Sequence, residues 1–343
     1  MSEQFMQVSE DDTSKITIQD VATALGISKT TVSRAISGKG RIGEATRSKV
    51  LDYIETHGYK PNPMAKGLAQ QRTFNIGWVM PGDSSITELP FFQSCMSGVL
   101  EEAAANDYDV ILSIIYENDI TGLERMVKGN KVDGVILGRT LISDPNVRYL
   151  KESGIPFVVI GSSNEEDVVQ VDNDHINACE SLTTALIDKG LKNIVVIGGN
   201  DNHVVNLSRR TGFERAVSKK SVDNNIVSKI CMNADNTQSV NSIVDEALEN
   251  KVECIICMDD KICNLVLDKL REDDVSIPST IKVASFYNSE LIKNARPRIT
   301  AIQYSPKLLG HKACSTLLDY INGEKVPMKT LMQYEVLLKG STE

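Results

Sequence analysis

Between residues 16 and 58 apolar side chains recur at helical spacing in three short runs. In IQDVATAL (18–25), Val21, Ala22 and Leu25 fall on one face, and Gly26 supplies the residue that ends a helix. Ser28 stands as an N-cap ahead of KTTVSRAIS, whose inward face is Val32 and Ile36. A third run opens at Gly43 or Glu44, turns Val50, Leu51 and Ile54 inward, and stops at Gly58. Two short helices joined by a Gly-containing turn of about three residues form the helix-turn-helix pattern.

From Phe74 onward the period shortens. Apolar runs at 74–81, 108–115, 134–139, 156–161, 193–199, 254–259 and 281–286 alternate with amphipathic stretches at 92–106, 175–190, 207–220, 239–250 and 260–272. Continuous apolar strands alternating with helices predict parallel sheets covered on both faces. Two such sets predict two doubly wound lobes with a ligand site between their strand carboxyl ends. The expected fold is therefore an all-α helix-turn-helix domain followed by an α/β bilobed body.

Composition narrows the class. The 343 residues are 41% hydrophobic and 24% charged, near globular averages, and allow two or three domains. No apolar run approaches the roughly 18 residues of a membrane span. The acidic, polar N-terminus is unlike a secretory signal, so the expected setting is the cytoplasm. Net charge is −9, which alone argues against nucleic acid. Its distribution reverses that argument. From Lys15 to Arg72 there are ten basic and four acidic residues, net +6, which leaves −15 for the remainder. A basic head on an acidic body suits a protein of which one domain meets phosphates.

The remaining chemistry is mostly negative. Cys254 and Cys257 have the spacing of redox or zinc sites, but three residues apart on a strand they point to opposite faces. With no second pair and four scattered His, the seven cysteines read as core residues, and no metal or cofactor is expected. There is no P-loop or nucleophile elbow, and Gly198-Gly199 lacks the other glycines of a dinucleotide fingerprint. No catalytic residue is assigned.

The second helix carries the most specific chemistry. Lys29, Thr30, Ser33 and Arg34 project opposite Val32 and Ile36, where a recognition helix would present base-reading groups. Lys29 can donate to guanine, Thr30 can bond or touch a thymine methyl, and Arg34 can reach a guanine or a phosphate. Taken alone, the pattern also fits a solvated helix of an ordinary bundle.

The motifs around that helix narrow the choice. TVSR at 31–34, TR at 46–47, GYKPN at 58–62 and AKGLA at 65–69 stand in fixed order, and this stretch resembles the N-terminal domain of the LacI/GalR family. The resemblance implies DNA contacts from Thr17, Ser28, Lys29, Thr30, Ser33, Arg34 and Thr46. It assigns Tyr59 and Asn62 to the DNA backbone, Ala65 to the minor groove, and Leu68 to a wedge between central base pairs. Asn62-Pro63 would open a hinge helix that is too short, with Gly67 inside it, to stand alone in water. Residues 1–14 are then a disordered tail, 15–61 the reader, 62–73 the hinge and linker, and 74–343 the body.

The likeness continues more weakly into the body, which is similar to periplasmic sugar-binding proteins with three crossing strands. It implies an N-lobe of about 74–173 and 304–332 and a C-lobe of about 174–303 and 333–343. Effector contacts would come from Phe91, Phe92, Arg139, Asn173, Arg209, Asp260, Asn288 and Gln303, although surface ion pairs or lobe packing explain the same residues. Phe286-Tyr287-Asn288 departs from the Phe-Asp-Asp or Phe-Asp-Asn of many relatives, so the ligand is not borrowed from them. Arg139 beside Arg209 leaves a sugar phosphate open next to a neutral sugar. The resulting expectation is a homodimeric regulator, a repressor, of a pseudo-palindromic double-stranded operator under a small sugar-type effector. The alternatives are a body that binds a phosphorylated carrier protein, or a cytoplasmic sugar-binding protein.

Overall fold

The computed structural model describes residues 16–38, 40–59, 67, 70–82, 90–116, 119–221, 225–234 and 236–343. Residues 1–73 and 74–343 form two compact units. In the first, α1 (Ile18–Leu25), α2 (Lys29–Ser37) and α3 (Glu44–His57) enclose Val21, Ala22, Val32, Ala35, Val50 and Tyr59. The breaks follow from local chemistry. Thr17 and Asp20 close a reciprocal capping box on α1, and Ser28 Oγ accepts from the Thr31 amide at 3.1 Å to start α2. Gly26, Gly38 and Gly58 end the three helices at φ 65°, 67° and 61°, a left-handed conformation that favours glycine. The expectation for α3 needs one correction. Leu51 is 42% exposed, whereas Tyr53 joins Ile54 against the core.

The second unit holds two six-stranded sheets. The first has the order β11-β5-β4-β3-β1-β2, from β1 (Asn75–Pro81), β2 (Asp109–Ile115), β3 (Gly134–Leu137), β4 (Phe157–Ile160), β5 (Val169–Asn173) and β11 (Lys329–Met332). The other has the order β12-β10-β9-β8-β6-β7, from β6 (Asn193–Ile197), β7 (Val227–Cys231), β8 (Cys254–Cys257), β9 (Lys282–Ser285), β10 (Thr300–Gln303) and β12 (Glu335–Leu337). All pairs are parallel except β10 with β12. Alternation sorts the strand residues between two cores. Ile76, Trp78 and Met80 of β1 face one cluster and Val79 the other, and Cys254 and Cys257 of β8 likewise fall in different clusters.

Helices cover both faces, as buried parallel strands require. The first lobe carries α4 (Pro90–Ala105), α5 (Thr121–Lys128), α6 (Pro145–Ser153) and α12 (Pro306–Ile321). The second carries α7 (His175–Asp188), α8 (Val204–Lys220), α9 (Thr237–Glu249), α10 (Asp260–Glu272) and the short α11 (Glu290–Lys293). The helices α4 and α12 cross backbone to backbone. A Cβ on Gly98 would overlap the Lys307 carbonyl oxygen, and one on Gly310 the Cys95 carbonyl oxygen. In the second lobe, Gly212 of α8 lets that helix press on the Ile176 carbonyl of α7 in the same way. The chain passes between lobes three times, after β5, after β10 and after β11.

Candidate functional site

The α2 helix divides sharply into two faces. Val32 and Ala35 are fully buried, whereas Lys29, Thr30, Ser33 and Arg34 are exposed together. Its N-terminus adds free amides and the positive end of a helix dipole, both favourable to an anionic phosphate. The aliphatic part of Arg34 lies along Gly40, close enough that a Cβ there would sit 3.3 Å from Arg34 Cδ. The Arg47 guanidinium reaches the backbone at Gly38, so the TR pair puts a cation at the C-terminal end of the same helix. Thr17 and Ser28 have structural work as caps, Thr46 is half-buried, and the Tyr59 ring belongs to the core. Asn62, Ala65 and Leu68 lie outside the described residues.

A second constellation gathers where the lobes meet. Arg209 of α8 is only 8% exposed, its Nε has no partner, and no carboxylate lies within ion-pairing distance among the described residues. Asn173, at the carboxyl end of β5, is 1% exposed with both side-chain amide atoms unpartnered. Asn206, one turn before Arg209, donates to the Asn200 carbonyl at 2.8 Å and keeps an unpartnered Oδ1. Buried polar atoms without partners are costly, and these four, on three residues, mark a place suited to an outside polar molecule. Asn206 escaped the sequence reading because nothing in VVNLSRR separates it from a surface asparagine.

The other expected residues fall around this junction unevenly. Asp260, in the first turn of α10, accepts from the Ser289 hydroxyl. Asn288 donates to Gln303 Oε1 at 2.6 Å, so these two satisfy one another. Phe91 meets Phe92 edge-on at 5.3 Å and Tyr287 at 5.8 Å. Arg139 sits apart, lining a void of about 10 Å³ with Val79, Pro81 and Tyr116 of the first lobe. Such a space is about one water in size.

A polar chain, exposed at Lys329 and buried from Asp172 inward, links residues far apart in sequence. Lys329 Nζ donates to Ser162 Oγ at 3.1 Å, and Ser162 donates to Asp172 Oδ2 at 2.8 Å. Asp172 Oδ1 faces His175 Nε2 at 3.5 Å, and His175 Nδ1 lies 3.2 Å from the Tyr304 hydroxyl. These residues bracket the first two crossings and the strand before the third. Burial pushes the Asp172 carboxyl up to about 6, against the opposing pull of the Ser162 and Asn173 donors and of Lys329 and Arg209. Burial, helped by the Arg209 charge, pushes the His175 imidazole well down, so it is neutral at pH 7. Burial also raises Asp259, the N-cap of α10, and the Tyr287 phenol.

These groups present donors, acceptors and rings that can grip a small polar molecule. Arg209 offers forked donors, Asn173 a donor and an acceptor, and the aromatic rings an apolar wall. Among the described residues no cluster of three His, Cys, Asp or Glu could hold a metal ion, and no helix is long and apolar enough to cross a membrane.

A helix-turn-helix unit in one chain with a two-lobed, doubly wound body defines a DNA-binding transcription regulator with a sensing-type domain. Comparison with known proteins agrees. Residues 17–62 match the model of bacterial regulatory proteins of the lacI family, and residues 183–342 match a periplasmic binding protein-like domain. The chain is 31% identical to the transcriptional regulator MalR of Staphylococcus xylosus, over 91% of its own length and 93% of that protein's. It is 28% identical to catabolite control protein A of Priestia megaterium, over 91% and 94%. Among solved structures, the transcriptional regulator CelR in complex with cellobiose superposes with a TM-score of 0.70 at 25% identity, over 95% of this chain and 99% of that one. The chain belongs to the lacI family of bacterial regulatory proteins.

Proposed function

We propose that this regulator is a repressor that binds a pseudo-palindromic operator as a homodimer and answers to a small sugar-type effector held between its lobes. It works by binding, without turnover. The observation that carries the effector reading is a set of buried polar atoms without partners, Arg209 Nε, the Asn173 side-chain amide and Asn206 Oδ1. A site of donors and amides with an aromatic wall suits hydroxyl-rich ligands, and cellobiose is the ligand of the structurally similar CelR complex. Arg209, Asn173 and Asn206 take the ligand's polar edge and Phe91 its apolar face. Asp260, Asn288 and Gln303 join once their present partners are exchanged, and Phe92 supports Phe91. We favour a neutral ligand over a sugar phosphate, because the Arg209 charge already acts on the buried Asp172 and Asp259 carboxyls.

On the DNA side, Lys29, Thr30, Ser33 and Arg34 read base edges, with Thr17, Ser28, Thr46 and Tyr59 fixing the frame. Asn62, Ala65 and Leu68 supply the hinge contacts with the minor groove. Two-fold symmetry in the protein would be mirrored in the operator. Selection of bound sequences from random DNA, with and without maltose and cellobiose, tests the whole reading. The expected result is an inverted repeat whose recovery changes with one sugar, with that change abolished in Arg209→Met while the repeat is retained. Recovery of a single half-site, or an unaltered sugar response in Arg209→Met, would count against it.

A further inference from the structure

Tyr287, which stands where the resemblance leads one to expect an aspartate, lies between the lobes. Tyr287 follows β9 in the second lobe and is 6% exposed, covered by the chain's own atoms. Its ring meets Phe91 of α4, in the first lobe, at 5.8 Å and 82°, and lies 6.4 Å and 23° from Tyr304 on the second crossing. With Phe92 and His175 at either end, five rings run without interruption from the first lobe through the crossing into α7. The ring cannot drift easily, because its backbone is pinned. The Tyr287 amide donates to Ser285 Oγ at 3.2 Å, and Ser285 Oγ donates to the Tyr287 carbonyl at 2.8 Å. On either side, the Phe286 amide donates to the Cys257 carbonyl and the Asn288 amide to the Ile302 carbonyl.

A second set of contacts joins the lobes elsewhere. The loop after β3 in the first lobe pairs with the segment that leads into α8 in the second, where Leu141 and His203 form an antiparallel bridge. The Ile142 amide donates to the Asn202 carbonyl at 2.9 Å, and the Val204 amide to the Thr140 carbonyl at 3.3 Å. Asp144 holds this loop in place by accepting from the Leu141 amide at 3.0 Å while capping α6. Because α8 also carries Arg209, the clasp and the ring bear on the same helix and the same junction.

We propose that Tyr287 is a built-in occupant of the interlobe cleft, holding the lobes closed by its contact with Phe91 so that the main-chain clasp at 140–142 and 202–204 forms without an effector. An effector then enters by displacing this ring instead of drawing two open lobes together. That last consequence rests on the effector reading above. Closure itself does not, since both sets of contacts are internal to the chain.

Amide hydrogen exchange on the full-length protein, with no sugar added, reads the clasp directly through peptides covering 140–144 and 202–207. In the native protein the Ile142 and Val204 amides should be protected. In Tyr287→Ala they should exchange about ten-fold faster or more, while peptides from β3 and β8 keep their native rates. Tyr287→Phe, which keeps the ring, should retain native protection. Phe91→Leu removes the other half of the contact from the opposite lobe and should reproduce Tyr287→Ala, which guards against a folding defect peculiar to one variant. Unprotected clasp amides in the native protein, or unchanged protection in both Tyr287→Ala and Phe91→Leu, would overturn the proposal. No ligand enters this experiment, so its failure is distinct from failure of the effector reading, which the Arg209→Met selection decides.

Discussion

Replacing Asp172 by Asn removes a proton site from the lobe junction while keeping its shape. Asp172 is 4% exposed and accepts hydrogen bonds from Ser162 and from the Asn173 amide, each at 2.8 Å. Burial nevertheless dominates, raising its pKa from 3.8 to about 6. A carboxyl whose folded value lies above its unfolded one holds its proton more tightly when folded. Its contribution to stability is therefore greatest at acid pH, declines as pH rises from 3.8 to about 6, and stays at the lower level above that. The separation of about 2.2 units corresponds to roughly 3 kcal/mol across the whole window. Between pH 4.5 and 7.5 the accessible part is about 1.5 units, or roughly 2 kcal/mol. Asn does not titrate, so Asp172→Asn should gain about 2 kcal/mol on the native protein over that interval, or roughly 5 °C in relative Tm for a unit of this size. Thermal melts of both full-length proteins at the two pH values provide the measurement. His175 lies 3.5 Å from Asp172, so His175→Gln and the double variant are melted alongside to separate its contribution. A native-minus-variant gap that is the same at pH 4.5 and 7.5 would show that Asp172 does not carry a raised pKa and that burial is not its controlling influence.

Two further outcomes follow from features of the two units. Gly310→Ala should destabilise the body by about 2–3 kcal/mol in urea unfolding, because a Cβ there overlaps the Cys95 carbonyl and forces α12 off α4. A neutral result would mean that the helix crossing is looser than described. Lys29→Ala should alter which operator sequences are preferred in a competition assay, whereas a uniform loss across all sequences with a shallower salt dependence would mark it as a phosphate contact.

The small unit was legible in the sequence because its punctuation is chemical. Ser28 and the glycines at 26 and 58 act through their own backbone and side chain, needing no distant partner. Leu51 was misjudged because α3 has apolar residues on more than one side, and only packing selects Tyr53 over Leu51. In the body, β1, β2, β3, β4, β6, β8 and β9 announced themselves as apolar runs, whereas β5, β7, β10, β11 and β12 did not. Of these, β7 and β11 are sheet edges, with Val227, Ser228 and Lys229 all exposed in β7 and an alternating half-exposed pattern in β11, while β5 (VQVDN) and β10 (TAIQ) are buried but broken by polar residues. The helices α5, α6, α11 and α12 were likewise absent from the sequence reading. At the lobe junction, Arg209, Asn173 and Asp260 were found through family likeness. The chain from Lys329 through Asp172 to Tyr304 spans more than 150 positions and exists only because three crossings bring those residues together.

The crossing of α4 and α12 has a mechanical consequence. Phe91 and Phe92 sit at the start of α4, and Tyr304 stands just before α12, so both helices originate at the lobe junction and are fused midway by Gly98 and Gly310. An ion pair from Lys307 to Glu101 and a contact of His311 Nε2 with the Glu102 carboxylate, each at 2.7 Å, fasten the same crossing on its outer side. The pair therefore behaves as a stiff lever, its short arm among the aromatic rings and its long arm buried along the sheet. Bending is left to the few residues of each crossing, around 174, 304 and 333, while the levers themselves stay intact. On the effector reading proposed above, substitutions at the tip of α4 would change what Phe91 meets without disturbing the Gly98–Gly310 crossing.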